Sequence, residues 1–350
     1  MHIALDAMGS DRAPEVLVAG ALQAVDEAEI EVVLLGDESV LRTALKNLGR
    51  ESDERIKIVH ASQVIGMDES PIVAVRQKKD SSVVKAFDLL KIKEVDAVVS
   101  AGNSGATMAA AIKSLGRLKG IARPGIAGLF PTLKRPVVMM DVGANVDCRP
   151  KHLFQFGIMA AAFSEVLFNV KSPRIGILSN GEEGGKGNVL VKNAHRLFQQ
   201  SSLNYIGNIE GDDTFQGDVD VITCDGFVGN VCLKISEGLA EAITLMLKDE
   251  LSKTLKAKLG YLLTKDAFAE FKKRIDYAEY GGAPLLGLNG TSIICHGRSN
   301  STAIKNAIFV AAELVQKKVN DRILVLLAEN SAIQEEAHLL VDETLDGDAQ

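Results

Sequence analysis

The sequence predicts an α/β fold: a mainly parallel sheet covered by helices on both faces. Three observations carry that prediction. Short apolar, strand-like runs alternate with helix-like runs over most of the chain, the pattern that crossover connections impose on parallel strands. Four of those runs stop at loops rich in Gly and Asn, at 101–105, 180–188, 225–230 and 296–300, and a helix-like run follows each. No repeat of fixed period and no long polar linker divides the 350 residues, which suffice for one large domain or two closely joined ones.

Taken in order, residues 3–7 read as a strand and 14–28 as a helix, with Pro14 in the first turn where its missing N–H is tolerated. Residues 32–35 form a second strand, 39–48 a second helix and 56–60 a third strand. After the break at Ser70-Pro71, 72–78 and 82–91 read as helices, the second with Ser81 or Ser82 as N-cap. Residues 95–100 are a buried strand that enters the first glycine loop. Strand 137–141, the loop 142–145 and a helix from 150 to about 168 come next. Strands 174–179, 219–225 and 292–295 enter the other three loops, and a helix over 302–318 closes the alternation. Two segments depart from it. Residues 235–274 read as two long helices with no strand between them, a hairpin inserted into a single α/β domain spanning 1–330. The acidic stretch 331–350 reads as a solvated tail with a short helix at its start.

Composition excludes several classes. Aromatics are 5%, Trp is absent and the net charge is −7, which argues against base stacking and general nucleic-acid binding. Hydrophobic residues at 47% and charged residues at 24% fit a folded soluble protein. Cys148, Cys224, Cys232 and Cys295 show no C-x-x-C spacing and read as free thiols acting as small hydrophobes. No apolar run reaches the roughly 18 residues of a membrane span, and the chain opens directly on an apolar strand, so a cytoplasmic location is expected.

Helix N-termini at such loops offer unpaired N–H groups and a partial positive charge. Four of them, with Lys186, His296 and Arg298 among them, predict a cleft for a phosphate or an oxyanion. In the first loop Asn103 and Ser104 are potential donors and Gly105 lets the backbone approach a ligand, although a tight turn capped by Ser104 accounts for the same residues. The spacings of a P-loop, a G-x-G-x-x-G turn and a G-x-S-x-G elbow are absent. In the second loop Lys186 lies among four glycines with Glu182 and Glu183. A lysine there either neutralises a developing oxyanion, with the carboxylates orienting it or acting as bases, or belongs to a charged surface loop. In the third, Asp225 ends a strand and Asn230 begins a helix, either capping it or bonding a carbonyl oxygen. In the fourth, His296, with Arg298 and Ser299 beyond it, stands at the sheet's C-terminal edge, where α/β ligands bind. The histidines are scattered, and Asp141, Asp147 and Asp225 form no ligand set, so no metal is expected.

The segment 235–274 has its own chemistry. Leu239, Ile243, Met246 and Leu247 make one helical face apolar. From Leu251 to Arg274 seven basic residues face two acids, and Leu259, Gly260, Tyr261, Leu262 and Leu263 form an apolar tip between the helices. Such a hairpin serves dimerisation or the core, or touches an anionic membrane or an acidic protein.

In sequence order the chain carries IALDAMGSD at 3–11, RQKKDSS at 76–82, VSAGNSGA at 99–106 and DVGAN at 141–145. GNIEG at 207–211, CDGFVGN at 224–230, YGGAPLLG at 280–287 and CHGRSN at 295–300 follow. Over about residues 1–320 this pattern resembles bacterial phosphate acyltransferases of the PlsX type. The resemblance implies transfer of a long acyl chain from acyl carrier protein to inorganic phosphate, without a cofactor, for phospholipid synthesis. It implies a three-layer αβα sandwich akin to phosphotransacetylases and isocitrate-type dehydrogenases. A homodimer is implied too, with peripheral contact to an anionic membrane and hand-over of acyl phosphate to a membrane glycerol-3-phosphate acyltransferase. Under it Lys186, Asn230 and His296 are catalytic, Asn103, Ser104, Gly105, Arg298 and Ser299 hold phosphate, and Glu182 and Asp225 support them. Leu259, Tyr261, Leu262 and Leu263 touch lipid. The chain departs from the pattern at 178–183, where LSNGEE replaces L-N-I-G-x-E, and in its acidic tail. A phosphotransacylase acting on short acyl-CoA is the nearest rival reading, ahead of a dehydrogenase of the related fold and a non-enzymatic scaffold.

Overall fold

A computed structural model describes residues 1–275 and 280–335. In chain order its first half comprises β1 (His2–Asp6), α1 (Glu15–Glu27), β2 (Glu31–Gly36), α2 (Glu38–Asn47), β3 (Ile56–His60), α3 (Pro71–Gln77), α4 (Ser82–Lys91), β4 (Ala97–Ser100) and α5 (Ser104–Leu115). Then come β5 (Gly125–Phe130), β6 (Val137–Met140), α6 (Pro150–Phe168), β7 (Ile175–Leu178), α7 (Val189–Gln199), β8 (Tyr205–Ile209) and β9 (Val221–Thr223). The last part holds α8 (Gly226–Ser252), α9 (Leu255–Leu263), α10 (Lys265–Ile275), β10 (Ala283–Leu286), β11 (Thr291–Ile294), α11 (Ser301–Gln316) and α12 (Val319–Glu329).

The strands form one 11-stranded sheet in the order β3-β2-β1-β4-β11-β10-β5-β6-β9-β7-β8. Strands β3, β2, β1, β4 and β11 make one parallel block, and β6, β9, β7 and β8 another. Between them β10 and β5 pair antiparallel with each other and with their outer neighbours. The sheet is mainly parallel, as its alternation predicts, but the two blocks run in opposite directions.

Period-2 alternation divides the core into two layers. Ile3, Leu5, Val32, Leu34, Ala97 and Val99 face one side, packed with residues of α1, α6, α11 and α12. Ala4, Val33, Leu35 and Val98 face the other, packed with α4 and α5. The result is a three-layer αβα sandwich. Helix α6 is buried from His152 to Ser164, so no polar face shows in its sequence. All four cysteines are free, with Cys224 and Cys295 buried.

Three strands lack a strong sequence signature. β5 carries Gly125 and Gly128, and β10 carries Pro284, residues that weaken strand propensity in isolation. β8 is interrupted by Gly207 at φ +111°. Packing decides at β5, where a Cβ on Gly125 would come within 2.7 Å of Met140 Cε. The region expected to hold two helices holds three. α8 starts at Gly226 and runs unbroken for 27 residues. Thr254 then caps α9 by accepting from the Ala257 N–H at 3.1 Å. Residues Leu259 to Leu263 consequently lie within α9 instead of in a turn between helices. At the other end α12 follows the last helix read from the sequence, within the expected domain, and residues 331–335 are helical at the start of the tail. The acidic tail from residue 336 onward lies outside the described residues.

Helix α8 enters the fold by close backbone approach. A Cβ on Gly229 would lie 1.9 Å from the Asp141 carbonyl oxygen, and one on Gly226 would lie 2.6 Å from that of Asn145. Gly238, on the same helix, has nothing within 4 Å. Gly229→Ala is therefore expected to destabilise the protein by about 3 kcal/mol or more. Gly238→Ala should stabilise it by about 0.5–1 kcal/mol through helix propensity. Thermal denaturation of the two variants checks this: a Tm of Gly229→Ala equal to or above that of the wild type would exclude the close approach.

Candidate active site

The register across the seam between the blocks sets where the four loops meet. Ser100 of β4 pairs with Ile294 of β11, and Ile294 pairs with Ala283 of β10. Further along β10, Leu285 pairs with Ile126 of β5; the next residue, Ala127, pairs with Met140 of β6, which pairs with Thr223 of β9. The C-terminal ends of β4 and β11 therefore lie within about one residue's rise, ~3.3 Å, of the level where β6 and β9 end. The loops do not form one mouth on one parallel edge, as the sequence suggests. The antiparallel pairings of β10 and β5 reverse the second block and divide the loops into two pairs, one on each side of the seam.

The first pair is organised by a buried carboxylate. Asp6, 2% exposed at the end of β1, accepts from Ser100 Oγ at 2.8 Å. Burial raises its pKa, opposed by hydrogen bonds from Ser82, Ser100 and the following backbone. Ser10 Oγ and the Asp11 N–H both donate to the Gly297 carbonyl, at 2.9 and 3.1 Å, tying the β1 loop to the fourth glycine loop. Asn103, rather than Ser104, caps α5: its Oδ1 accepts from the Ala106 N–H at 3.0 Å. The Asn103 amide donates to the carbonyls of Gly66, Met67 and Glu69 at 3.3, 2.9 and 3.1 Å. Its side chain is thus committed to the loop, and the first N–H groups of α5, those of Ser104 and Gly105, are the ones without an intrahelical partner.

In the fourth loop the Arg298 N–H donates to His296 Nδ1 at 3.1 Å. A neutral ring that accepts at Nδ1 carries its proton on Nε2, so His296 is a donor there. Desolvation of the ring pushes its pKa below the ordinary value. Lys234 and Arg298 push the same way, against Glu237 and Asp11. Ser299 is 3% exposed, which removes its hydroxyl from the loop surface, while Asn300 caps α11 by accepting from the Ala303 N–H at 2.8 Å.

The second pair is organised by Asp141, fully buried at the end of β6. It accepts N–H groups of Ile126, Gly143, Ala144 and Asn145 at 3.1, 3.3, 3.1 and 2.7 Å, and the Asn145 amide at 2.9 Å. Burial raises its pKa and these bonds oppose the rise. The Gly226 N–H donates to the Asn145 carbonyl at 2.7 Å, which seats the start of α8 on this loop. Asp225 caps α8, accepting from the N–H groups of Phe227 and Val228 at 3.0 and 2.9 Å. Asn230 is therefore not the cap. It lies about one turn inside the helix, exposed, with Oδ1 beside Gly143, where an added Cβ would approach to 3.4 Å. In the 180–188 loop Asn180 Oδ1 accepts from the Gly187 N–H at 2.9 Å and the Asn208 amide donates to the Glu183 carbonyl at 3.0 Å. Glu182, Glu183 and Lys186 stand exposed, with no ion pair among the described residues.

Helix α8 links the pairs. It starts at the Asp141 loop, and Lys234 and Glu237, two to three turns along, act electrostatically on His296. Four participants escape sequence reasoning. Asp6 and Asp141 left a signal, a carboxylate ending an apolar strand; Lys234 and Glu237 left none, because only the path of α8 brings them to His296. Along the seam lie backbone donors, an imidazole N–H, a guanidinium and an amide, and the Lys186 loop follows the neighbouring strand end on the same edge. Such groups suit a tetrahedral oxyanion and a carbonyl that gains negative charge. Among the described residues no group of three or more His, Cys, Asp or Glu is placed to hold a metal.

Residues 1–322 match the family model described as "Fatty acid synthesis protein". The chain is 55% identical over 335 residues to a phosphate acyltransferase of Syntrophotalea carbinolica, covering 95% of this chain and 96% of that one. It is 54% identical over 323 residues to that of Geobacter sulfurreducens, covering 92% and 93%. Among solved structures, a phosphotransacetylase from Streptococcus pyogenes superposes with a TM-score of 0.64 at 17% identity, over 90% of this chain and 94% of that one. A 4-hydroxythreonine-4-phosphate dehydrogenase from Klebsiella pneumoniae gives 0.51 at 15% identity, over 90% and 98%. Both likenesses concern the fold alone.

The environment of His296 has a direct spectroscopic consequence. Its lowered pKa keeps the ring neutral at pH 7, with protonation only below the ordinary value of 6.5. Lys234→Met removes a repelling cation and should raise the midpoint toward 6.5. NMR titration of the ring carbons checks both; a wild-type midpoint above 6.5 would contradict this environment.

Proposed function

This chain belongs to the phosphate acyltransferase family, and on that premise we propose that it moves a long acyl chain from acyl carrier protein to inorganic phosphate. The observation that supports the reading best is the seam itself. It brings the ends of β4 and β11, which lead into α5 and the His296 loop, level with the ends of β6 and β9, and β9 leads into α8, the helix that carries Asn230.

In the proposed reaction a phosphate oxygen attacks the thioester carbonyl carbon. A C–O bond forms as the carbonyl π pair moves onto oxygen, and collapse of that oxyanion breaks the C–S bond. Acyl phosphate and a thiolate result, and the thiolate takes up a proton. A thiolate leaves readily, so positioning and charge stabilisation supply most of the acceleration. Phosphate rests on the Ser104 and Gly105 N–H groups with Arg298. Lys186 and Asn230 receive the oxyanion, and His296 Nε2–H orients phosphate or supplies the proton. Asp225 and Asn103 support these loops as caps, and Glu182 flanks Lys186.

The remaining surface supports the proposed assembly. Phe227, Ile235, Leu239, Ile243 and Met246 are 61, 64, 58, 46 and 68% exposed along α8, an apolar row suited to a second copy of the chain. On α9, Leu259, Tyr261, Leu262 and Leu263 are 60, 42, 66 and 79% exposed beside Lys256 and Lys258. That combination suits shallow insertion into an anionic membrane. Among the described residues no helix is long and apolar enough to cross one. A cytoplasmic enzyme resting on the membrane would deliver acyl phosphate to a glycerol-3-phosphate acyltransferase there.

Incubation with palmitoyl carrier protein and labelled phosphate, trapping acyl phosphate as its hydroxamate, tests the reaction. Lys186→Ala should lower kcat by about 10²–10³; near wild-type turnover would remove Lys186 from the chemistry. Turnover of acetyl-CoA without turnover of the carrier-borne palmitoyl group would favour the short-chain alternative. Leu262→Glu with Leu263→Glu should abolish sedimentation with anionic vesicles, and unchanged sedimentation would exclude the α9 contact.

A further inference from the structure

We propose that the exposed face of α3, with the turn after it, is the surface on which the acidic carrier protein docks. The proposal rests on the substrate being a carrier-borne thioester, as argued above. Its starting point is the segment 76–82, most of whose polar residues have structural partners. Lys78 Nζ donates to Glu69 at 2.5 Å and to the Val64 carbonyl at 2.8 Å. Asp80 accepts from the Ser62 N–H at 2.8 Å and pairs with Lys85 at 2.6 Å. Ser81 and Ser82 are buried, and Ser82 hydrogen-bonds Asp6. Arg76 and Lys79 differ. Both are exposed, and neither has an ion-pair or side-chain hydrogen-bond partner among the described residues.

The two cations border an apolar surface. Ile72 and Val73 are 60 and 49% exposed, and Met67, just before the helix, is 41% exposed. Ile72 and Arg76 are four residues apart and share one face of α3. Apolar groups rimmed by cations suit an acidic helical partner, with charge steering the encounter and the apolar groups sealing it. The surface also adjoins the candidate site. The Asn103 amide is bonded to the carbonyls of Gly66, Met67 and Glu69, and an added Cβ on Gly105 would lie 2.7 Å from Pro71 Cγ. A carrier on α3 thus stands beside the α5 N-terminus, within reach of a prosthetic arm.

The lysines of α9 offer a competing basic surface, but distance disfavours it. The 27-residue α8 separates them from the Asp225 loop, and at 1.5 Å per residue that is about 40 Å. A phosphopantetheine arm spans roughly 20 Å when extended, by the reach of a chain of similar length.

The test compares one acyl group on two carriers. Palmitoyl carrier protein and palmitoyl-pantetheine are each turned over with phosphate by the wild type, Arg76→Glu with Lys79→Glu, and Lys256→Glu with Lys258→Glu. The α3 reversal should raise KM for the carrier-borne substrate roughly tenfold or more, leave kcat within about twofold, and flatten the dependence of kcat/KM on ionic strength. The pantetheine substrate should not distinguish it from the wild type, Arg76→Lys with Lys79→Arg should restore KM, and the α9 reversal should leave KM unchanged. Equal losses on both substrates, no loss on either, or a KM increase confined to the α9 reversal would each overturn the docking surface. So would reduced binding to anionic vesicles with carrier turnover intact, which would make α3 a lipid contact. A wild type inactive on palmitoyl carrier protein overturns the substrate reading itself, a failure distinct from these.

Discussion

The reversal of strand direction at the β10–β5 seam is the constraint on which the rest of the structure depends. A parallel sheet places its functional loops along one edge. Here two parallel blocks run oppositely, and they share a line of C-terminal ends only because β10 divides its pairing. Its first two residues bond the end of β11 and its last two bond the start of β5. A one-residue slip there would turn every side chain of one block to the other face. It would also shift the loop pairs along the strand axis relative to each other. Register at four residues therefore sets the geometry of the candidate site.

Each block then orders its loops around a buried carboxylate. Asp6 and Asp141 occupy equivalent places, at the end of an inner strand and beneath a glycine-containing turn. Burying a carboxylate costs several kcal/mol unless donors surround it, and the backbone supplies them: four N–H groups reach Asp141. Those loops gain a fixed shape because their N–H groups converge on one point. The exposed residues nearby, Asn230 and His296 among them, are held by backbone that these carboxylates have already ordered. Pre-organisation of this kind lets exposed donors act on charge without reorganising.

Helix α8 combines two roles in one element. Its first turns are fixed by glycine contacts with the Asp141 loop, and past Gly229 it contributes no buried residue. A helix this long with an exposed apolar row is not explained by the monomer core, since most helical stability in proteins comes from packing an apolar face. Its length also places α9 and its exposed apolar residues at the far end of the helix from the Asp141 loop.

Much of this was legible in the sequence, for identifiable reasons. Long alternating segments revealed α1, β2, α4 and α6 because hydrophobic period and capping residues are local properties. The four glycine loops were visible because Gly, Asn and Asp punctuate chains in the same way wherever they occur, and the motifs running along them pointed to the family. β5, β8 and β10 were not visible, since Gly and Pro weaken a strand that only its neighbours stabilise. Nor was the single span of α8, because the Phe227 end reads as loop until Asp225 is seen to cap it. The sequence by itself determined the layer architecture, through local period and capping residues, and the family, through the motifs that resemble it, and it offered residue types suited to an anion. Only the tertiary structure decided that the loops form two pairs, that Asn103 and Asp225 are caps, and that the charge of Lys234 acts on His296. Those outcomes depend on strand direction and register between residues far apart in the chain, and no local pattern encodes them.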